Sequence, residues 1–181
     1  MSVFTNPVSR SVDQARAYTA AILDLLGDRD PLEVLRGTPD SVRTSIAGLG
    51  DEQLSRPEAA GKWSMRQVVR HLADSEIVWG YRLRLVLAQD RPPLTGYDQD
   101  LWASRLDYAH APIADALEEF AALRRSNLRL LSIATPEDLQ RVGMHAERGE
   151  ESVGHMVRMY AGHDVLHLRQ LARIRNGAAS G

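Results

Sequence analysis

Apolar residues recur at intervals of three and four along most of this chain of 181 residues. This spacing places them on one side of an α-helix, so it predicts helices rather than strands. The predicted helices cover residues 11–26, 38–49, 64–89, 112–133 and 152–175, and we find no segment typical of a strand. Helices with one apolar face bury it against one another. The sequence therefore predicts an all-α fold, a helical bundle in a single domain on which the N-terminal helix 11–26 packs.

Start signals and long connections divide the predicted helices. Ser64 with Gln67 three residues later is typical of a capping box at a helix N-terminus. Asp30-Pro31 and Thr38-Pro39 are also start signals, so we expect a short helical turn after Pro31 and a separate helix from Thr38. Residues 90–110 and 134–151 are long connections, the first with a predicted helical turn at 101–106. Such lengths are uncommon unless the segment is functional or locally structured.

The composition excludes several classes of protein. The net charge is −2 with acidic and basic residues interspersed, which argues against a nucleic-acid partner. No window of 18 residues is apolar, so we expect no membrane span. The N-terminus lacks a basic region followed by an apolar run, so we expect no signal peptide and a cytoplasmic location. There is no cysteine, which excludes disulfides and zinc–thiolate sites and leaves His, Asp or Glu as metal ligands.

Three histidines lie on predicted apolar faces. His163 and His167 are four residues apart, about 40° around the last helix. Met156 and Ile174 share their sector, so both imidazoles are predicted to face the interior. His71 lies on an apolar stripe of the helix 64–89. Three neutral imidazoles would hold a divalent ion and leave coordination positions open. Zinc, nickel and iron(II) all suit imidazole, and the spacing alone leaves open that the histidines bind no metal.

Charged residues near these histidines are candidates for further roles. Arg82 lies on the stripe of His71, where it could bind a substrate carboxylate or form an ion pair between helices. Asp74 lies about 60° from His71, and Asp164 could orient a ligand imidazole on another helix. Glu76 is a weaker candidate that we expect to face water or another element. Asp74, Asp164 and Arg82 are therefore the candidate catalytic or substrate-binding residues.

Several ordered segments resemble the DinB/YfiT-like superfamily of metal-dependent enzymes. The matching segments are Gly61-Lys62-Trp63-Ser64, Val69-Arg70-His71-Leu72-Ala73-Asp74-Ser75-Glu76, Tyr81-Arg82-Leu83-Arg84, Tyr97-Asp98, Trp102 and Gly162-His163-Asp164-Val165-Leu166-His167-Leu168-Arg169-Gln170-Leu171. The resemblance implies a four-helix bundle with up-down-down-up order and long crossover connections. It also implies a metal site formed by His71, His163 and His167, and a possible homodimer that pairs through bundle helices.

The resemblance and the residues together predict a metal-dependent enzyme that acts on a small molecule. Characterised relatives include thiol S-transferases that use a low-molecular-weight thiol such as bacillithiol or mycothiol. A thiol S-transferase and a hydrolase are both open, because the absence of cysteine fits an external thiol and water equally. Two other classes also stay open: a non-catalytic, stress-related metal-binding protein, and a helical interaction module without metal.

Overall fold

A computed structural model describes residues 12–178 of the chain. Its helices are α1 Val12–Leu26, α2 Pro31–Ile46, α3 Asp51–Ser55, α4 Met65–Ala88, α5 Gln99–Arg105, α6 Ile113–Ile133, α7 Pro136–Gln140 and α8 Val153–Ala178. Its strands are β1 Pro93–Leu94, β2 Val142–His145 and β3 Gly149–Ser152. No helix in this part of the chain has both the length and the apolar character to cross a membrane.

Helices α2, α4, α6 and α8 form a four-helix bundle, in which α4 and α2 each contact both α6 and α8, and α1 packs on α8. The side-chain contacts give the directions. Arg70 binds Glu119 (2.5 Å), and the later residue Arg84 binds Ser126 (3.0 Å), so α4 and α6 are parallel. Arg175, near the end of α8, donates to the carbonyl of Ser45, near the end of α2, so these two helices are also parallel. His71 of α4 contacts His163 of α8, whereas the later Trp79 stacks on the earlier Tyr160, so α4 and α8 are antiparallel. The predicted all-α bundle with up-down-down-up order is confirmed.

A polar layer divides the interior of the bundle. One apolar cluster contains Phe120 and Leu171, and a second contains Trp79 and Met156. Burial of each such side chain contributes about 1.5–3 kcal/mol. Between the two clusters lie buried or half-buried polar residues from three helices, which we call the polar layer: His71, Ser75, Glu76, Arg124, Asn127, His163, Asp164 and His167. The fold therefore stabilises this layer from both sides with apolar packing.

Helix α2 runs without a break through Pro39, so the predicted separation into a turn and a helix from Thr38 is wrong. Proline lacks the N–H that would bond to the carbonyl of Leu35, four residues earlier. Arg124 of α6 supplies the missing donor, because its Nη1 lies 2.8 Å from that carbonyl oxygen. A tertiary contact thus satisfies the acceptor that the proline leaves free.

A small sheet joins the two long connections, and the prediction that the chain forms no strands is wrong. Strand β1 pairs in parallel with β2, and β2 pairs antiparallel with β3. Gly143 allows the close approach of this sheet to its neighbours, because a Cβ there would lie 2.7 Å from Leu94 Cδ1. The predicted turn at 101–106 corresponds to α5.

Candidate metal centre

The structure brings the three predicted histidines together in the polar layer. His71 comes from α4, whose start is fixed by the capping box of Ser64 and Gln67. His163 and His167 come from successive turns of α8. His163 Nε2 lies 3.1 Å from His71 Nε2 and 3.1 Å from His167 Nε2. One nitrogen from each ring lies within 4.8 Å of the other two.

This donor set fits a divalent ion. Nitrogens that are each 2.0–2.1 Å from one ion lie about 2.9–3.4 Å from one another. A neutral imidazole nitrogen carries either one proton or one lone pair. His163 Nε2 therefore cannot form a full hydrogen bond with both neighbouring nitrogens, whereas a shared ion accounts for both short separations.

Burial keeps the three imidazoles neutral and so leaves lone pairs for a metal. Burial, with a smaller contribution from the neighbouring imidazoles, holds the pKa of His71 and of His163 well below the ordinary value. Burial also lowers the pKa of His167 to about 4. The Nδ1 of His167 lies 2.9 Å from Gln170 Oε1, to which it donates, and this contact leaves the lone pair on Nε2. Gln170 thus orients a ligand, a role that its sequence position did not reveal.

Asp164 makes no hydrogen bond to a ligand imidazole, contrary to the prediction, and binds Arg124 instead. Both of its oxygens accept from Arg124, at 2.6 and 3.0 Å. Arg124 also donates to Glu76 (2.8 Å), and Asn127 donates to the same carboxylate (3.0 Å). Glu76 is therefore buried rather than exposed to water. This buried ion cluster belongs to the polar layer and supports the helices that carry the histidines.

Asp74 is also placed differently from the prediction. Its carboxylate accepts hydrogen bonds from Arg70 and from the hydroxyl of Tyr108, and it lines a shallow depression next to His110. That depression is separate from the cavity next to the histidines, which Asp74 does not line. The structure therefore gives Asp74 a part in joining α4 to the connection at Tyr108.

A cavity of about 60 Å³ lies beside His163 of the histidine cluster. One water needs about 10–15 Å³, so the cavity holds more than a single water. His163, Ser75, Arg82 and Tyr97 all line it. Ser75 Oγ lies 3.3 Å from His71 Nε2 and 3.2 Å from the hydroxyl of Tyr97. Two hydroxyl groups of the cavity lining are therefore connected to His71 by short contacts. Arg82 is brought to this cavity as the sequence suggested.

His145 lines the same cavity, although its position in a connection pointed to no role. It lies at the end of β2 and is 3% exposed. Its Nδ1 accepts from the backbone N–H of Glu147 at 3.2 Å. Burial and the charge of Arg148 lower its pKa to about 4. Only the unpredicted sheet brings this residue to the site.

Comparison with known proteins agrees with this geometry. A family model described as the DinB superfamily matches residues 34–171. The chain belongs to the DinB superfamily. A similar protein from Oceanobacillus iheyensis is named "Putative metal-dependent hydrolase"; it is 33% identical over 136 residues, 75% of this chain and 78% of that protein. A relative from Geobacillus kaustophilus with the same description is 32% identical over 145 residues, 80% of this chain and 82% of that protein.

One solved structure also resembles this member of the DinB superfamily. It is YfiT from Bacillus subtilis, described as a "probable metal-dependent hydrolase with an unusual four-helix bundle topology". The TM-score is 0.73 at 26% identity, and the match covers 79% of this chain and 84% of YfiT. The bundle order and the family description therefore agree, while the roles of individual residues must be argued from the site itself.

Proposed function

We propose that this protein is a metal-dependent hydrolase that acts on a small molecule. His71, His163 and His167 would hold one divalent ion, zinc, nickel or iron(II). The observation that carries the proposal is the convergence of three Nε2 atoms next to a cavity. The description of the relatives as metal-dependent hydrolases supports it.

The side chains around the cavity have distinct roles in this proposal. An ion held by the histidines would lower the pKa of water and so supply a nucleophile at neutral pH. Ser75 and Tyr97 are placed to donate to an oxygen of the substrate or to orient the attacking water. Burial raises the pKa of Tyr97, so its hydroxyl stays protonated and remains a donor. Arg82, which lines the same cavity, is the proposed substrate-binding residue.

A thiol S-transferase that uses an external low-molecular-weight thiol is the second candidate. The chain has no cysteine, so a thiol nucleophile would have to enter the cavity as a cosubstrate. The same histidines would serve, since a bound divalent ion lowers the pKa of a thiol as it does that of water. The two candidates therefore differ in the nucleophile and share the site.

Metal analysis of the purified protein tests the site. We expect one ion per chain in the wild type after dialysis against zinc, nickel or iron(II) and removal of the excess. His71→Ala, His163→Ala and His167→Ala should each lose stoichiometric binding. His110→Ala is a matched control, because His110 is exposed and its Nδ1 contacts Asp107 instead. A wild type without stoichiometric metal would leave a helical interaction module and refute the proposal.

Activity assays then separate the functions. A panel of small esters and amides with the loaded protein tests hydrolysis, and cysteine with 1-chloro-2,4-dinitrobenzene tests transfer to a thiol. We expect turnover in the first arm that disappears in His163→Ala. Turnover in the second arm alone favours the S-transferase. Bound metal without turnover in either arm favours a non-catalytic metal-binding protein and contradicts the hydrolase.

A further inference from the structure

We propose that Arg82 and His145 form a binding site for a carboxylate group in the cavity beside the histidines. The site would take a small carboxylic acid, held by its anionic end. The inference rests on the proposed function in one respect only, that the bound carboxylate belongs to the substrate.

Arg82 is a buried cation that forms no ion pair with a carboxylate of the described residues. It is 6% exposed, and its Nη2 donates to the carbonyl oxygen of Thr95. Among residues 12–178, Glu151 is an acidic neighbour whose pKa Arg148 and, more weakly, Arg82 help to lower, but Glu151 forms its ion pair with Arg148. Arginine cannot shed its charge to relieve burial. An arginine that lines a cavity and is bonded to one carbonyl is therefore suited to an anion from outside the chain.

His145 lines the same cavity and carries a second donor. Its Nδ1 accepts from the backbone N–H of Glu147, so in the neutral ring the proton is on Nε2. This Nε2 is buried and makes no hydrogen bond in the described part of the chain. A buried N–H without an acceptor is unfavourable. A carboxylate oxygen from the ligand would remove this deficit.

The other charged groups near the cavity are already engaged. Arg148 donates from Nε and Nη2 to Glu151, so the positive charge of Arg148 is balanced by this carboxylate. Glu147 also lines the cavity, and its backbone N–H donates to His145 Nδ1. Among the described residues that line the cavity, Arg82 is therefore the cation that forms no ion pair. A planar carboxylate can accept two N–H bonds from a guanidinium and a third from an imidazole, which favours it over a neutral amide.

Titration of the metal-free protein with sodium acetate tests the site directly. Amide shifts in ¹H–¹⁵N NMR spectra would be followed at constant ionic strength, with acetamide as the neutral probe of the same shape. We expect saturable shifts at the cavity, including the amide of Gly96, with acetate and none with acetamide. Arg82→Gln should weaken acetate binding by about tenfold or more, and His145→Phe by roughly threefold.

Two further variants serve as controls. Arg84→Gln removes the same charge from the same helix, where the guanidinium binds Asn127 and Ser126, and should change affinity by less than about twofold. Arg82→Lys keeps the charge and loses the planar fork, so it should bind acetate more weakly than the wild type and more tightly than Arg82→Gln. The spectra also show whether each variant is folded.

Equal binding of acetate and acetamide, or unchanged acetate affinity in a folded Arg82→Gln variant, would overturn the proposal. So would acetate binding that occurs only with zinc and is insensitive to Arg82→Gln, because acetate would then be a metal ligand. A protein that binds acetate through Arg82 and holds no metal would refute the proposed function and leave the carboxylate site standing.

Discussion

Replacement of Arg124 by methionine removes the centre of the buried ion cluster while it keeps an unbranched apolar side chain. Arg124 is 1% exposed and donates to Asp164, to Glu76 and to the carbonyl of Leu35. The variant therefore leaves two buried carboxylates without their cation. It also leaves one backbone acceptor, freed by Pro39, without its donor.

The expected loss is large. Removal of one partner from a buried ion pair costs about 3–5 kcal/mol. A buried carbonyl that loses its donor costs about 1–3 kcal/mol. These losses share one guanidinium and do not simply add, so we expect the free energy of unfolding to fall by about 4 kcal/mol or more, a large part of the roughly 5–15 kcal/mol typical of a domain.

Urea unfolding followed by far-UV circular dichroism measures this loss. With a slope of about 2 kcal/mol per molar urea, the midpoint should fall by about 2 M. Arg125→Met is the matched control, because Arg125 is exposed and should change the midpoint little. Burial already raises the pKa of Glu76, and Arg124 counteracts that rise. Without Arg124 the folded pKa rises further, so the penalty should be larger at pH 8 than at pH 5. Equal midpoints for the two variants would refute this account of the cluster.

Two further results are expected. Gly162→Ala should lower the free energy of unfolding by about 1–3 kcal/mol, because its Cβ would lie 2.3 Å from a backbone oxygen of α1. Thermal unfolding measures this loss. Gly177→Ala is the control and should be nearly neutral, because its Cβ would meet nothing within 4 Å. The metal-free protein should lose stability as the pH falls from about 6.5 to 4. His145 and His167 have a folded pKa of about 4, whereas a histidine of the unfolded chain has a pKa of about 6.5. In this range the unfolded chain therefore binds more protons than the folded chain, which favours unfolding. His167 alone accounts for about 3 kcal/mol, and constant stability across this range in urea titrations would contradict its burial as a neutral ring.

The sequence predicted those features that depend on local spacing. His163 and His167 share a face because they are four residues apart on one helix, and the apolar residues around them showed which face is buried. His71 could be assigned by the same argument on α4. Homodimerisation, by contrast, has no local signal in the chain and stays a prediction.

The errors arose where a distant residue decides the outcome. Thr38-Pro39 predicted a helix start because proline favours the first position of a helix. The helix continues instead, because the donor that replaces the proline N–H comes from Arg124, 89 residues after Leu35. Asp164 has an orientation on α8 that spacing describes correctly, but its partner is an arginine on another helix. The strands have two to four residues, too few for alternation to be visible, and with them the position of His145 was lost.

The sheet has a consequence for how this protein can diversify. The three histidines are carried by two long helices, whereas Tyr97 and His145 reach the cavity from two connections that β1 and β2 join by backbone pairing. Backbone pairing depends little on which side chains the segment carries. Substitutions in these connections can therefore alter which molecules the cavity accepts without moving the histidines. Related proteins can thus keep the same three histidines and bind different substrates.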